Sequence, residues 1–162
     1  MIQRRQSIYL LLSVVLLASL IFWPIDFFFK EPAPDGTSVP QAVELHWNSI
    51  LDVTDPSASQ PLQSLFYLAA LVLLPLMLNA LAIFMFKNRP LQGRMAGIAL
   101  GIEVGLSAVL VYLSIDIQSL LDAPFHFCVR WIVPLVAAVL DFLAYKAISD
   151  DEALVRSLDR LR

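Results

Sequence analysis

The 162 residues amount to one domain's worth of chain, yet 59% are hydrophobic and only 15% charged, against roughly 25% charged in soluble domains. A water-soluble fold of that composition would expose too much apolar surface to stay dispersed, which excludes the ordinary soluble classes. A single cysteine excludes an internal disulfide, and the formal net charge of −3 does not bear on orientation, which follows Lys and Arg placement.

The first apolar run covers residues 7–23 and follows Arg4 and Arg5. Basic residues before an apolar stretch also describe a secretory signal. This run is long, however, and no small-x-small site comes before the aromatic Phe27, Phe28 and Phe29, so an uncleaved span is expected.

Residues 24–61 form the one sizeable connection, flanked by turn-formers at Glu31, Pro34 and Gly36 and at Asp55, Pro56 and Ser59. Within it Val43, Leu45 and Trp47 alternate with Ala42, Glu44 and His46, a period of two that predicts a strand. A short extracytoplasmic strand or hairpin is expected over the outer helix ends, since an isolated hairpin is marginal in water and needs a surface. Glu44 and His46 could share a strand face, but two ligands make a weak metal site, and no metal or cofactor is expected.

A second run covers 62–86, and the basic turn Lys87, Arg89, Arg94 leads into a third over 95–115. In the third, Gly97, Gly101 and Gly105 recur every four residues, a small-residue row that lets helix backbones approach closely in lipid. Ala96, Ala99, Glu103 and Ser107 make a second small and polar face. Two such faces predict a helix packed on both sides, either central in the bundle or turned toward another subunit. The fourth run covers 125–148, with His126, Arg130, Pro134, Ala137, Asp141 and Tyr145 falling on one stripe. Arg130 is expected to reach outward toward Asp116 or Asp122, and Asp141 toward Tyr145 or Lys146.

Four runs of this length predict an all-α membrane protein, a four-transmembrane-helix bundle, because about 20 apolar residues cross a bilayer core. The N-terminus (Arg4, Arg5), the basic turn and the tail (Lys146, Arg156, Arg160, Arg162) carry nine of the eleven Lys and Arg, so both termini are expected in the cytoplasm. Tyr9 and Tyr145 then fall at the inner interface, with Trp23, Tyr67, Tyr112 and Trp131 near the outer one, as amphipathic rings prefer. Residues 149–162 begin with Ser149, Asp150, Asp151 and Glu152, a capping-box pattern. They predict a separate short amphipathic cytoplasmic helix whose contacts are Leu154, Arg156, Leu158 and Arg160.

Glu103 is the costliest residue, since a charge at a helix centre costs about 2.5–3.5 kcal/mol on insertion scales and needs a partner inside the protein. At 1.5 Å per residue it lies about 13 Å beyond Arg94, and Asn79 about 12 Å beyond Lys87, so the two are level and are expected to hydrogen-bond. Asn79, Glu103 and Asp141 are thus the candidate buried polar cluster. The bland role for it is polar glue that fixes helix register; the sharper one is a path for an ion, proton or substrate.

The opening residues, Met1, Ile2, Gln3, Arg4, Arg5, Gln6 and Ser7 through Leu12, and the closing Asp151, Glu152, Ala153, Leu154, Val155 and Arg156 through Arg162, resemble the DUF4293 family. The resemblance is specific at these ends and implies a bacterial integral membrane protein with four spans in the cytoplasmic (inner) membrane. It supplies no reaction, and Arg130 and Asp141 match no family motif.

No phosphate-binding glycine loop, nucleophile elbow or zinc-protease motif occurs, so no catalytic residues and no enzyme are expected. The basic residues are those that topology requires, so no nucleic acid is expected. The expected partners are membrane lipid and a membrane-protein partner or a second copy. The expected role is a non-enzymatic subunit or assembly factor of a larger membrane complex. The alternative is a small oligomeric transporter or channel using Asn79, Glu103 and Asp141, although the halves show no repeat of the kind transporters often carry.

Overall fold

The computed structural model describes residues 3–31, 40–55, 59–86 and 88–159, with side chains from 5 to 153 among them. Helix α1 (Gln3–Phe22) leads into four strands, β1 (Asp26–Lys30), β2 (Gln41–Leu45), β3 (Ser49–Asp52) and β4 (Gln60–Ser64). Helices α2 (Phe66–Phe84), α3 (Arg89–Leu121) and α4 (Val133–Asp159) follow, with one 3-10 turn (Val129–Ile132) before α4. All four helices are long and apolar enough to cross a membrane.

The helices form a ring in chain order: α1 packs on α2, α2 on α3, α3 on α4, and α4 closes on α1. Helix α3 therefore takes one corner, not the centre considered from its two small faces. Its Ala96, Ala99, Glu103 and Ser107 face is buried in the bundle, while Gly97, Gly101 and Gly105 lie on the outside. At 33 residues α3 is about 50 Å long, well beyond a hydrocarbon core of about 30 Å, so it must tilt or protrude. It starts where the Asn88 side chain accepts from the Leu91 N–H, with Pro90 in the first turn. It ends at Asp122, in the left-handed region at φ 49°, a conformation that Asp tolerates better than most residues.

The loop expected to hold a short hairpin is larger than that: its strands pair as an antiparallel sheet in the order β1-β2-β3-β4. Strand β4 takes Leu62 and its neighbours, which hydropathy had assigned to the second span, so α2 begins only at Phe66. The polar Gln60, Gln63 and Ser64 flank Leu62, and β4 pairs with β3 with a register shift between Ile50 and Leu51. A hydropathy window counts Leu62 as membrane although it is exposed on a strand.

The sheet docks by one face. Phe28, Val43 and Leu45 are buried in the same cluster as Leu17, Leu20, Leu68, Leu106 and Leu110 from the helices, while Phe27 and Phe29 on the alternate face are exposed. The fourth span also differs from its expected bounds. Residues 125–128 are not helical, so His126 does not share a helical stripe with Asp141. Helix α4 then runs unbroken through Ser149 to Asp159, so no separately capped tail helix forms. Ser149 lies inside the hydrogen-bond ladder, and Asp151 is buried against Gln6 instead of serving a helix start. Leu154, Arg156 and Leu158 lie on this helix with side chains outside the described set, and Arg160 lies outside the described residues altogether.

Candidate functional site

The bundle interior is layered. Toward one end Leu10, Ala82, Ala96 and Ala144 form an apolar cluster whose alanines let the helices close up. Toward the sheet lies the larger leucine-rich cluster. Between them each helix contributes one polar side chain: Ser13 from α1, Asn79 from α2, Glu103 from α3 and Asp141 from α4. All four are 0% exposed.

Asn79 is the hub. Helix α2 buries Leu68, Val72, Pro75, Asn79 and Ala82, which puts Asn79 on the inward stripe one turn past the proline. Pro75 supplies no N–H to the turn before it, a defect tolerated inside a packed membrane bundle. The Asn79 amide Nδ2 donates to Asp141 Oδ2 at 2.6 Å, to Ser13 Oγ at 2.9 Å and to Glu103 Oε1 at 3.1 Å. Two hydrogens thus face three oxygens. The Ser13 hydroxyl accepts from the amide and donates onward to Glu103 Oε1 at 3.3 Å.

Several oxygens are left over. Asn79 Oδ1, Glu103 Oε2 and Asp141 Oδ1 are buried without a hydrogen-bond partner, as is Ser114 Oγ. Ion pairs among the described residues include Lys30–Asp122, His46–Glu44 and His126–Asp26, and none engages Glu103 or Asp141. Asp141 does not turn to Lys146 or Tyr145, as its place near the inner end predicted; it turns to Asn79 across the bundle.

Ser13 is the member that sequence reasoning missed. A serine in an apolar run carries little signal, but one was there: Ser13 stands nine residues beyond Arg4, the same offset as Glu103 from Arg94. The depth count that levelled Asn79 with Glu103 applies to it unchanged.

A second polar knot, also unforeseen, ties the sheet to the helix ends beneath it. Asp26, 4% exposed at the start of β1, accepts from its neighbour Phe27 N at 2.8 Å and from Trp131 Nε1 at 3.1 Å, and lies 2.8 Å from His126 Nε2. The Arg130 guanidinium donates to the Pro24 carbonyl, not to Asp116 or Asp122; Asp122 is 3.6 Å from Lys30 Nζ. Cys128 donates its thiol to the Ile25 carbonyl at 3.2 Å, and burial pushes that thiol's pKa up, which leaves it a poor nucleophile. His46 lies 2.9 Å from Glu44. Among the described residues no three His, Cys, Asp or Glu are placed to hold a metal ion.

At the opposite end Gln6 Nε2 donates to Asp151 Oδ2 at 2.6 Å and to the Ala147 carbonyl at 3.0 Å, clamping α1 to α4. Beside it a cavity of about 250 Å³ is lined by Arg89, Gly93, Arg94, Tyr145, Ile148 and Glu152 among others. The glycines of α3 divide in two, buried Gly93 and outward Gly97 on one side and outward Gly101 and Gly105 on the other. A Cβ on Gly93 would meet Ile148 and Tyr145, and one on Gly97 Tyr145 alone, whereas on Gly101 or Gly105 it would meet nothing within 4 Å.

An antiparallel sheet seated on four apolar, membrane-length helices, with a sealed polar layer between two apolar ones, defines a small helical-bundle protein of membrane type. Residues 2–161 match DUF4293, described as a domain of unknown function, and the chain belongs to that family. No curated protein matches it.

Proposed function

We propose that the chain is a non-enzymatic accessory subunit of a larger assembly in a bacterial cytoplasmic membrane, with both termini on the cytoplasmic side. Its outward α3 face receives a transmembrane helix of the partner. One observation carries this reading. Gly101 and Gly105 sit exposed in mid-helix with open space where a side chain would be, and such small positions let a second backbone come close in lipid. The orientation rests on the clustering of Lys and Arg in the N-terminus, the α2–α3 turn and the tail.

Purification at native expression in mild detergent, with crosslinking beforehand, tests the proposal. A species larger than the chain alone is expected, lost in the Gly101→Leu/Gly105→Leu double variant while the helical content of the chain is kept. A lone chain from the wild type would overturn it.

A second reading, a small oligomeric transporter or channel, is favoured by the polar layer: two carboxyls at mid-bundle are costly, and such residues commonly mark pathways. Liposome flux that Glu103→Gln left unchanged would remove this reading.

A further inference from the structure

We infer that Ser13, Asn79, Glu103 and Asp141 form a binding site for one exchangeable monovalent cation, a proton or a sodium ion. The inference shares its residues with the second reading above but does not require flux.

Three observations converge. The first is charge. Two carboxyls sit at 0% exposure in contact with the same amide nitrogen, and no Lys, Arg or His among the described residues pairs with either. The other charged or titratable side chains described on the packed helices are Arg5 and Tyr9 on α1, Tyr67 on α2, Arg89, Arg94, Tyr112 and Asp116 on α3, and Tyr145, Lys146, Asp150, Asp151 and Glu152 on α4, and the cations among them form no ion pair with Glu103 or Asp141. Two uncompensated anions in that position would cost several kcal/mol each by the usual order of magnitude, so positive charge must be supplied from outside the side-chain set.

The second is the count of hydrogens. The layer owns three polar hydrogens, two on Asn79 Nδ2 and one on Ser13 Oγ, and all three are directed at oxygens. Asn79 Oδ1, Glu103 Oε2 and Asp141 Oδ1 remain buried and unpartnered. Leaving such groups unsatisfied costs about 1–3 kcal/mol apiece, more when charged, and a bound cation relieves each one it reaches.

The third is the donor set. Every spare atom is an oxygen, which suits a hard cation and not a soft transition metal. Three spare oxygens are too few for Ca²⁺, which takes about 6–8, or for the octahedral shell of Mg²⁺. A proton shared between the two carboxyls, or a sodium ion beside one protonated carboxyl, fits the charge of this oxygen set.

The test uses the purified full-length chain in detergent, with two arms that separate the occupants. In the sodium arm, the folding equilibrium is followed in NaCl against equal choline chloride. Binding to the folded state multiplies the folding constant by up to about tenfold for each tenfold rise in sodium above the dissociation constant. In the proton arm, infrared spectra are compared in H₂O and D₂O. A carboxylic-acid carbonyl band that shifts on exchange reports the bound proton, and it should be lost in both Glu103→Gln and Asp141→Asn.

Either signature, abolished by those substitutions, supports the site. Neither signature in the wild type overturns it even if both variants fail to fold. A response to Mg²⁺ or Ca²⁺ alone, or one that both variants retain, also overturns it. Because the readout is a ligand and not a complex, a lone chain in the purification above would remove the accessory role and leave this site standing.

Discussion

At the scale of single residues, Asn79 is the position from which most follows. Its amide nitrogen is the one contact common to Ser13, Glu103 and Asp141. Asn79→Ala removes two donors and leaves oxygens on three helices facing a gap, so a loss of about 2–5 kcal/mol is expected from several buried groups left unpaired. Ser13→Ala should cost less, about 1 kcal/mol, because Asn79 still reaches both carboxyls. Unfolding in mixed micelles measures both, and equal losses would refute the hub.

A charge or amide stands out in an apolar run, and counting 1.5 Å per residue from the basic ends levelled Asn79 with Glu103. No such count places Asp141, whose expected reach to Tyr145 or Lys146 assumes a span ending near 148, while α4 continues to Asp159. Asp26 could not have been found in this way. Its partners Trp131 and His126 lie about a hundred positions away, and only the docking of the sheet brings them together.

At the scale of elements, the helices were readable because apolar length is a one-dimensional property, and all four appear where the runs are. Their ends were less so. Hydropathy counts β4 as membrane because it does not register cross-strand pairing, and the run at Ser149 mimics a helix start although it lies inside a helix. The sheet offers its own test. Phe28 is fully buried beneath it, whereas Phe27, its neighbour on the opposite face, is about half exposed. Phe28→Ala should therefore cost about 3–5 kcal/mol, with Phe27→Ala within about 0.5 kcal/mol of the wild type. Equal effects, read from unfolding midpoints, would mean that the sheet does not seat on the helices through this face.

For the whole molecule, the arrangement is one of stacked layers along the bundle axis: a sheet, a leucine-rich core, the polar quartet, an alanine-rich core and the Gln6–Asp151 clamp. The polar quartet pins helix register, since sliding any helix by one turn, about 5.4 Å, would strand its polar residue among apolar side chains. That constraint fixes the helices relative to one another but is blind to which side of the membrane the sheet occupies. Orientation depends instead on charge outside the core; among the described residues Arg5, Arg89 and Arg94 lie at the end away from the sheet, and the sequence clusters most other Lys and Arg beside them. The sheet is therefore expected outside the cell and the α4 extension within. Replacing Cys128 by Ala and placing one cysteine at a time at exposed Ser59 or exposed Asp150 reads this directly. Ser59→Cys should react with a membrane-impermeant maleimide in intact cells, and Asp150→Cys only after permeabilisation. The reverse pattern would invert the molecule, put the glycine-flanked cavity near Arg89 and Arg94 on the outer face, and break the link between the basic ends and the cytoplasm.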